Sequence, residues 1–144
     1  MSEQRGFYWR TWDFSLRFWR DGTRAITIWW PWRKVPRIYI PPGYAKVTNA
    51  ADLIDMTLAH ERVHITQWMK LGRIRFLLRY MTKAGRMDLE AQAYAATVRW
   101  LVSKGTPQDL AVATYAQALA DHYGSVGTTE ECRAAILKYI GGGR

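Results

Sequence analysis

Three side chains within one five-residue segment could together perform metal chemistry. His60-Glu61-Arg62-Val63-His64 has the H-E-x-x-H pattern, and in a helix its two histidines fall one turn apart on the same face. Histidines placed in this way can share a Zn²⁺ ion, because imidazole nitrogen is one of the ligands that zinc prefers. Glu61 points beside such an ion, where it can accept a proton from a water that the metal acidifies. The segment therefore predicts a hydrolytic zinc centre with Glu61 as general base.

The helical pattern around the motif places Glu61 on the buried side. At 100° per residue, Glu61 falls near the middle of an apolar arc, and the opposite arc is polar. The apolar arc contains Leu53, Ile54, Thr57, Leu58, His64, Ile65 and Trp68, and the polar arc contains Asp52, Asp55, Arg62, Thr66 and Lys70. A buried carboxylate needs a compensating partner, since burying it unpaired costs roughly several kcal/mol. A bound metal and its water would be such a partner.

A third protein ligand is expected from a later helix. Glu90 falls on the apolar face of a helix whose small residues would allow close approach to the first helix. That face also contains Met87, Ala91, Tyr94, Val98 and Leu101, whereas Asp88, Gln92, Arg99 and Ser103 lie on the other. His122 is the alternative third ligand. Cys132 is the single cysteine, so the sequence excludes both an intrachain disulfide and a four-cysteine zinc site.

The motif together with Glu90-Ala91-Gln92-Ala93-Tyr94-Ala95 resembles the gluzincin division of the zincin metallopeptidases. The resemblance covers about residues 48–103 and implies one Zn²⁺ per chain held by His60, His64 and Glu90. It implies that Glu61 is the general base and that the substrate is a peptide or protein. Compact domains of this kind, including bacteriophage-encoded ones, are similar in size.

Such peptidases also use a tyrosine or histidine to stabilise the tetrahedral oxyanion. The candidates for this role are Tyr94, Tyr80, Tyr123 and His122, and the sequence does not choose among them.

The sequence pattern of the elements that must position these residues predicts an α+β, minimal zincin-like domain spanning residues 1–144. Residues 1–47 have the pattern of an antiparallel β-meander: a strand at Trp12–Phe18, a turn at Asp21-Gly22, a return strand at Thr23–Trp30 and a third strand at Arg37–Ile40. Residues 48–140 have helical periodicity, and residues 141–144 are expected to form a flexible tail.

Glycine, proline and helix-capping residues predict the ends of five helices. Asn49 and Gly72 bound the motif helix, and a short basic helix follows from Arg73 to about Thr82, with a break near Gly85. Further helices are expected from Met87 to Ser103, from Thr106-Pro107 to about Tyr123, and from Thr128, whose spacing to Glu131 is that of a capping box.

Composition leaves two other kinds of function open. The net charge is +9, the basic residues are concentrated in the first 86 residues, and six of the eight tryptophans lie before residue 33. A metal-stabilised assembly protein, virion-associated for example, could dock through Trp29-Trp30-Pro31-Trp32. A nucleic-acid-binding module could use the basic aromatic surface. The amphipathic cationic stretch Arg73–Arg86 could meet nucleic acid, an anionic membrane surface or an acidic substrate. We expect no signal peptide and no transmembrane segment, and therefore a cytoplasmic protein.

Overall fold

The computed structural model describes residues 26–28, 37–39, 49–123 and 125–142. Most of these residues are helical. The five helices among them are α1 (Ala50–Leu71), α2 (Arg73–Met81), α3 (Lys83–Ser103), α4 (Gln108–His122) and α5 (Thr129–Gly141). Two strands, β1 (Ile26–Ile28) and β2 (Arg37–Tyr39), pair antiparallel with Thr27 opposite Ile38.

The predicted α+β class is therefore wrong, because the described chain is mostly all-helical. The strands that it contains are three residues each and form a ribbon instead of a β-meander. They fall inside the predicted second and third strands, Thr23–Trp30 and Arg37–Ile40. The predicted first strand, the Asp21-Gly22 turn and the Trp29–Trp32 cluster lie outside the described residues.

Helix α3 is the centre of the packing, since it contacts α1, α2, α4 and α5. Its fully buried alanines Ala91, Ala93 and Ala95 leave space for neighbouring helices to approach. The larger apolar cluster joins α3 to α4 and α5 and includes Val98, Val112, Leu119, Cys132 and Ile136. A smaller cluster of Trp68, Phe76 and Leu89 joins α1, α2 and α3. The helix that carries the motif is thereby held against α3.

Several predicted helix ends are confirmed. Gly72 ends α1 with φ 77°, a left-handed backbone conformation that glycine adopts without steric cost, and its N–H donates to the Trp68 carbonyl at 2.9 Å. Thr128 and Glu131 form the predicted capping box of α5. Asn49 precedes α1 as predicted but takes a left-handed conformation and makes no side-chain capping bond.

The predicted break near Gly85 and the predicted start at Met87 are wrong. Helix α3 begins four residues earlier, because the Thr82 side chain accepts a hydrogen bond from the Gly85 N–H and caps it. Gly85 is needed there for close approach instead: a Cβ at this position would lie 2.1 Å from the Arg79 carbonyl oxygen. At α4 the first helical residue is Gln108, and its cap is Pro107 without a side-chain bond, so Thr106 is not the cap.

Among the residues that the structure describes, no helix combines the length and the apolar character needed to cross a bilayer.

Candidate metal centre

Helices α1 and α3 bring His60, His64 and Glu90 together, as the sequence predicts. The Nε2 atoms of the two histidines are 3.2 Å apart, and each lies 3.4 Å from Oε2 of Glu90. Spacing explains this arrangement: residues 60 and 64 are one turn apart on α1, and Glu90 faces them from the buried side of α3. Within the described chain, this is the group of His, Cys, Asp or Glu ligands close enough to hold one ion.

The triangle of ligand atoms has the size that zinc requires. Bond lengths of about 2.0–2.1 Å in a tetrahedron place neighbouring ligand atoms about 3.3 Å apart, and the three observed separations are 3.2, 3.4 and 3.4 Å. Glu90 is 2% exposed, and its Oε2 is the buried side-chain polar atom that lacks a hydrogen bond in the described part of the chain. An orphaned carboxylate oxygen that faces two imidazole nitrogens fits a cation between them.

His64 is oriented by a buried glutamine. Its Nδ1 lies 2.9 Å from Oε1 of Gln67, whose amide nitrogen donates to the Leu89 carbonyl at 2.8 Å and to Gln92 Oε1 at 2.7 Å. Because the amide nitrogen donates to these two acceptors, the amide oxygen accepts a hydrogen bond from the Nδ1–H of His64. In the neutral imidazole this leaves the lone pair on Nε2, which faces the ligand triangle.

His60 and Glu90 have supporting partners of their own. Nδ1 of His60 lies 3.4 Å from the hydroxyl of buried Thr97, and the His60 ring meets the Tyr94 ring edge to face with centroids 4.6 Å apart. The hydroxyl of Tyr80 on α2 donates to Glu90 Oε1 at 2.7 Å. That bond occupies one carboxylate oxygen and leaves the other directed at the histidines, which is how outer-sphere groups orient metal ligands.

The charges at the site are strongly coupled when no metal is bound. Burial alone would lower the pKa of His64, but its 3.4 Å contact with Glu90 and that carboxylate's negative charge raise it to about 9. Burial would likewise raise the pKa of Glu90, yet its contacts with His60 and His64 hold it well below its ordinary value. The metal-free site therefore holds a proton on His64 opposite an ionised Glu90.

Glu61 lies at the edge of this cluster and outside the ligand triangle. It is 7% exposed, and its charge acts on both His64 and Tyr80. Its carboxylate is not among the ligand atoms that lie within 4.8 Å of one another. This is the placement expected of a residue that handles protons beside a metal without binding it.

The four candidates for the oxyanion-stabilising residue differ in their positions relative to the site. His122 is exposed, and its Nδ1 lies 2.9 Å from the Ala118 carbonyl on its own helix, so it is neither at the site nor a third ligand. Tyr80 is committed to Glu90. Tyr94 and Tyr123 have hydroxyls 3.5 Å apart beside the site.

In this pair the Tyr94 hydroxyl donates and the Tyr123 hydroxyl accepts. Burial, followed by the negative charge of Glu90, raises the pKa of Tyr123 well above its ordinary value, so its hydroxyl keeps its proton. The Arg86 guanidinium fixes its position by donating to the carbonyls of Tyr123 and Tyr80, each at 3.1 Å.

Sequence reasoning missed Gln67 and Thr97. Gln67 is seven residues after His60 and three after His64, so helical spacing puts it on the ligand face, and it is buried. Its position on that face is the feature of the sequence that indicates a role at the site. For Thr97, seven residues after Glu90, the same spacing was present but a threonine on a helix is too common to single out.

Comparison of the chain with protein-family models, curated protein sequences and solved structures gives no match. The assignment of the site therefore depends on its own geometry.

Proposed function

We propose that this protein is a zinc-dependent hydrolase that cleaves peptide bonds, with His60, His64 and Glu90 as zinc ligands and Glu61 as general base. The observation that carries the proposal is the ligand triangle: two Nε2 atoms and one orphaned, buried carboxylate oxygen with the separations of a tetrahedral zinc site. The described residues supply three protein ligands and leave a fourth position open, which is typical of catalytic and not of structural zinc.

Zinc in such a site supplies a Lewis acid that polarises a carbonyl and acidifies a water molecule. The chain supplies the proton transfers. Glu61 is next to the first ligand in sequence and buried beside the second, so it can accept the proton of the attacking water and pass it to the leaving amine. A buried base is shielded from bulk solvent, which keeps that proton within the site.

Tyr123 is the group that we assign to the developing oxyanion. Its hydroxyl remains protonated, lies beside Tyr94 and is held through the Arg86 contact with its carbonyl. A donor aimed at charge that appears only in the transition state contributes roughly 10²–10³ to the turnover rate. Tyr80 has a different task, since its hydroxyl orients Glu90.

The test is metal content followed by activity. Protein purified without added metal is analysed by elemental mass spectrometry, and wild type is compared with His64→Ala and Glu90→Ala. We expect near one zinc per chain in wild type and loss of zinc in both variants. His122→Ala is the matched control, because this histidine is exposed and away from the triangle.

Activity on a peptide library then separates catalysis from metal storage. Glu61→Gln should keep its zinc and lose turnover, and Tyr123→Phe should keep its zinc and lose roughly 10²-fold in turnover. If Glu61→Gln were as active as wild type, the hydrolase proposal would be refuted. A folded wild-type protein that takes up no zinc would refute the metal site itself.

A further inference from the structure

Helix α2 has two apolar faces, and within the described part of the chain only one of them packs against other helices. Phe76 is fully buried and Tyr80 is half-buried against the rest of the molecule. On the other side, Ile74, Leu77, Leu78 and Met81 are 74, 47, 61 and 75% exposed. Their spacing of i, i+3, i+4 and i+7 makes one continuous aliphatic stripe along the helix. A stripe of large side chains at this exposure indicates an interaction surface.

The surroundings of the stripe are cationic. Between Arg62 and Met87 the sequence contains six Lys or Arg and no Asp or Glu. Exposed cations of this stretch include Lys70 near the end of α1, Arg75 beside the stripe and Lys83 just beyond α2. Met69, 60% exposed, extends the apolar surface onto the end of α1. The partner must therefore be both apolar and negatively charged.

We propose that the outward face of α2 docks on an anionic phospholipid bilayer. A helix that lies in a membrane interface inserts aliphatic side chains among the acyl chains, while flanking Lys and Arg meet the anionic headgroups. The exposed stripe contains only Ile, Leu and Met, whereas single-stranded nucleic acid is bound by stacking on exposed aromatic rings, and the aromatic rings of α2 face inward. The charge and shape of the face match a lipid surface better than a nucleic acid.

The docking does not depend on the metal centre, so its test uses binding alone. The full-length protein is sedimented with vesicles of phosphatidylcholine alone and of phosphatidylcholine mixed with phosphatidylglycerol. We expect at least about tenfold stronger binding to the anionic vesicles, because each cation near such a surface contributes to the attraction. Replacing Lys70, Arg75 and Lys83 by Gln should remove this preference.

A matched pair of leucines tests the stripe itself. Leu78 on α2 and Leu110 on α4 are 61 and 60% exposed, so Leu78→Ser and Leu110→Ser remove the same side chain from equally open positions. Leu78→Ser should weaken vesicle binding about tenfold, and Leu110→Ser should leave it unchanged. Circular dichroism shows whether both variants keep their helices.

Three results would overturn the proposal. One is equal binding of wild type and Leu78→Ser to anionic vesicles. Another is binding to an RNA or DNA oligonucleotide that exceeds vesicle binding and that Leu78→Ser leaves intact, which would assign the cations to nucleic acid. The third is a wild-type dimer in light scattering that Leu78→Ser dissociates, without vesicle binding by either protein, which would assign the stripe to a second copy of this chain.

Discussion

Zinc binding should release a proton from His64, and this is the sharpest consequence of the site's electrostatics. In the metal-free protein the pKa of His64 is raised to about 9, because its contacts with Glu90 outweigh the effect of burial. At neutral pH the imidazole is therefore protonated, and it must lose that proton before Nε2 can bind a metal. Glu90 contributes no proton, since its pKa lies well below its ordinary value.

The magnitude follows from this pKa. Below pH 9 each unit of acidification costs about 1.4 kcal/mol of zinc-binding free energy, so the apparent affinity should fall about 100-fold between pH 8 and pH 6. Calorimetric titration with zinc in buffers of different ionisation enthalpy should count about one proton released from His64 per zinc at pH 7. A nuclear magnetic resonance titration of the metal-free protein should show the His64 ring changing protonation near pH 9.

Glu90→Gln provides the control, because it removes the charge and leaves a side chain of the same size. Burial then dominates, and the His64 midpoint should fall to about its ordinary 6.5 or below. His122→Ala should change nothing at the site. A His64 midpoint near 6.5 in the metal-free wild type, together with zinc uptake that releases no proton from it, would refute the reasoning.

Three further predictions follow from the supporting contacts. The metal-free protein should be most stable between about pH 4.5 and 6.5 and should lose up to about 3 kcal/mol of unfolding free energy toward pH 9, as measured with urea. The raised pKa of His64 gives its full stabilisation below pH 6.5, and the lowered pKa of Glu90 gives its full stabilisation above pH 4.5. A flat stability profile would contradict this. Gln67→Leu should weaken zinc binding by about 10–100-fold in competition with a chelator, with Gln92→Leu as the milder control. Gly85→Ala should cost about 1–3 kcal/mol in the same unfolding assay, since its Cβ would meet the Arg79 carbonyl at 2.1 Å, whereas Gly141→Ala meets no atom and should be neutral.

The helices and the meeting of His60, His64 and Glu90 could be predicted from the sequence because their signals are local. The four-residue spacing of His60 and His64, Gly72 after the last turn of α1, and the Thr128 and Glu131 pair each act within a few residues. Asp52, Asp55, Arg62, Thr66 and Lys70 are all exposed, as the helical period of α1 predicts. Glu90 was found by the same periodicity on a second helix.

The predictions that failed needed information from distant residues. The sequence predicts too late a start for α3 because Gly85 has the character of a helix end. In the structure Gly85 instead allows close approach to the backbone of α2. The fold class was wrong because alternating aromatic residues were extrapolated to a β-meander, and the described strands are only three residues long. The different positions of Tyr80 and Tyr123 depend on which helices meet, which local spacing does not determine.

Tyr123 lies in the turn after α4, and this turn contributes no ligand to the triangle. The proposed metal ligands and the proposed oxyanion donor therefore lie on separate segments of the chain. All three proposed ligands and the proposed base lie on α1 and α3, whereas the Tyr123 hydroxyl comes from the end of α4. If the chain is the proposed hydrolase, changes in length or composition between α4 and α5 should alter which bond is cleaved while zinc affinity stays constant. Directed evolution of new cleavage preferences should begin at this turn, with α1 and α3 kept fixed.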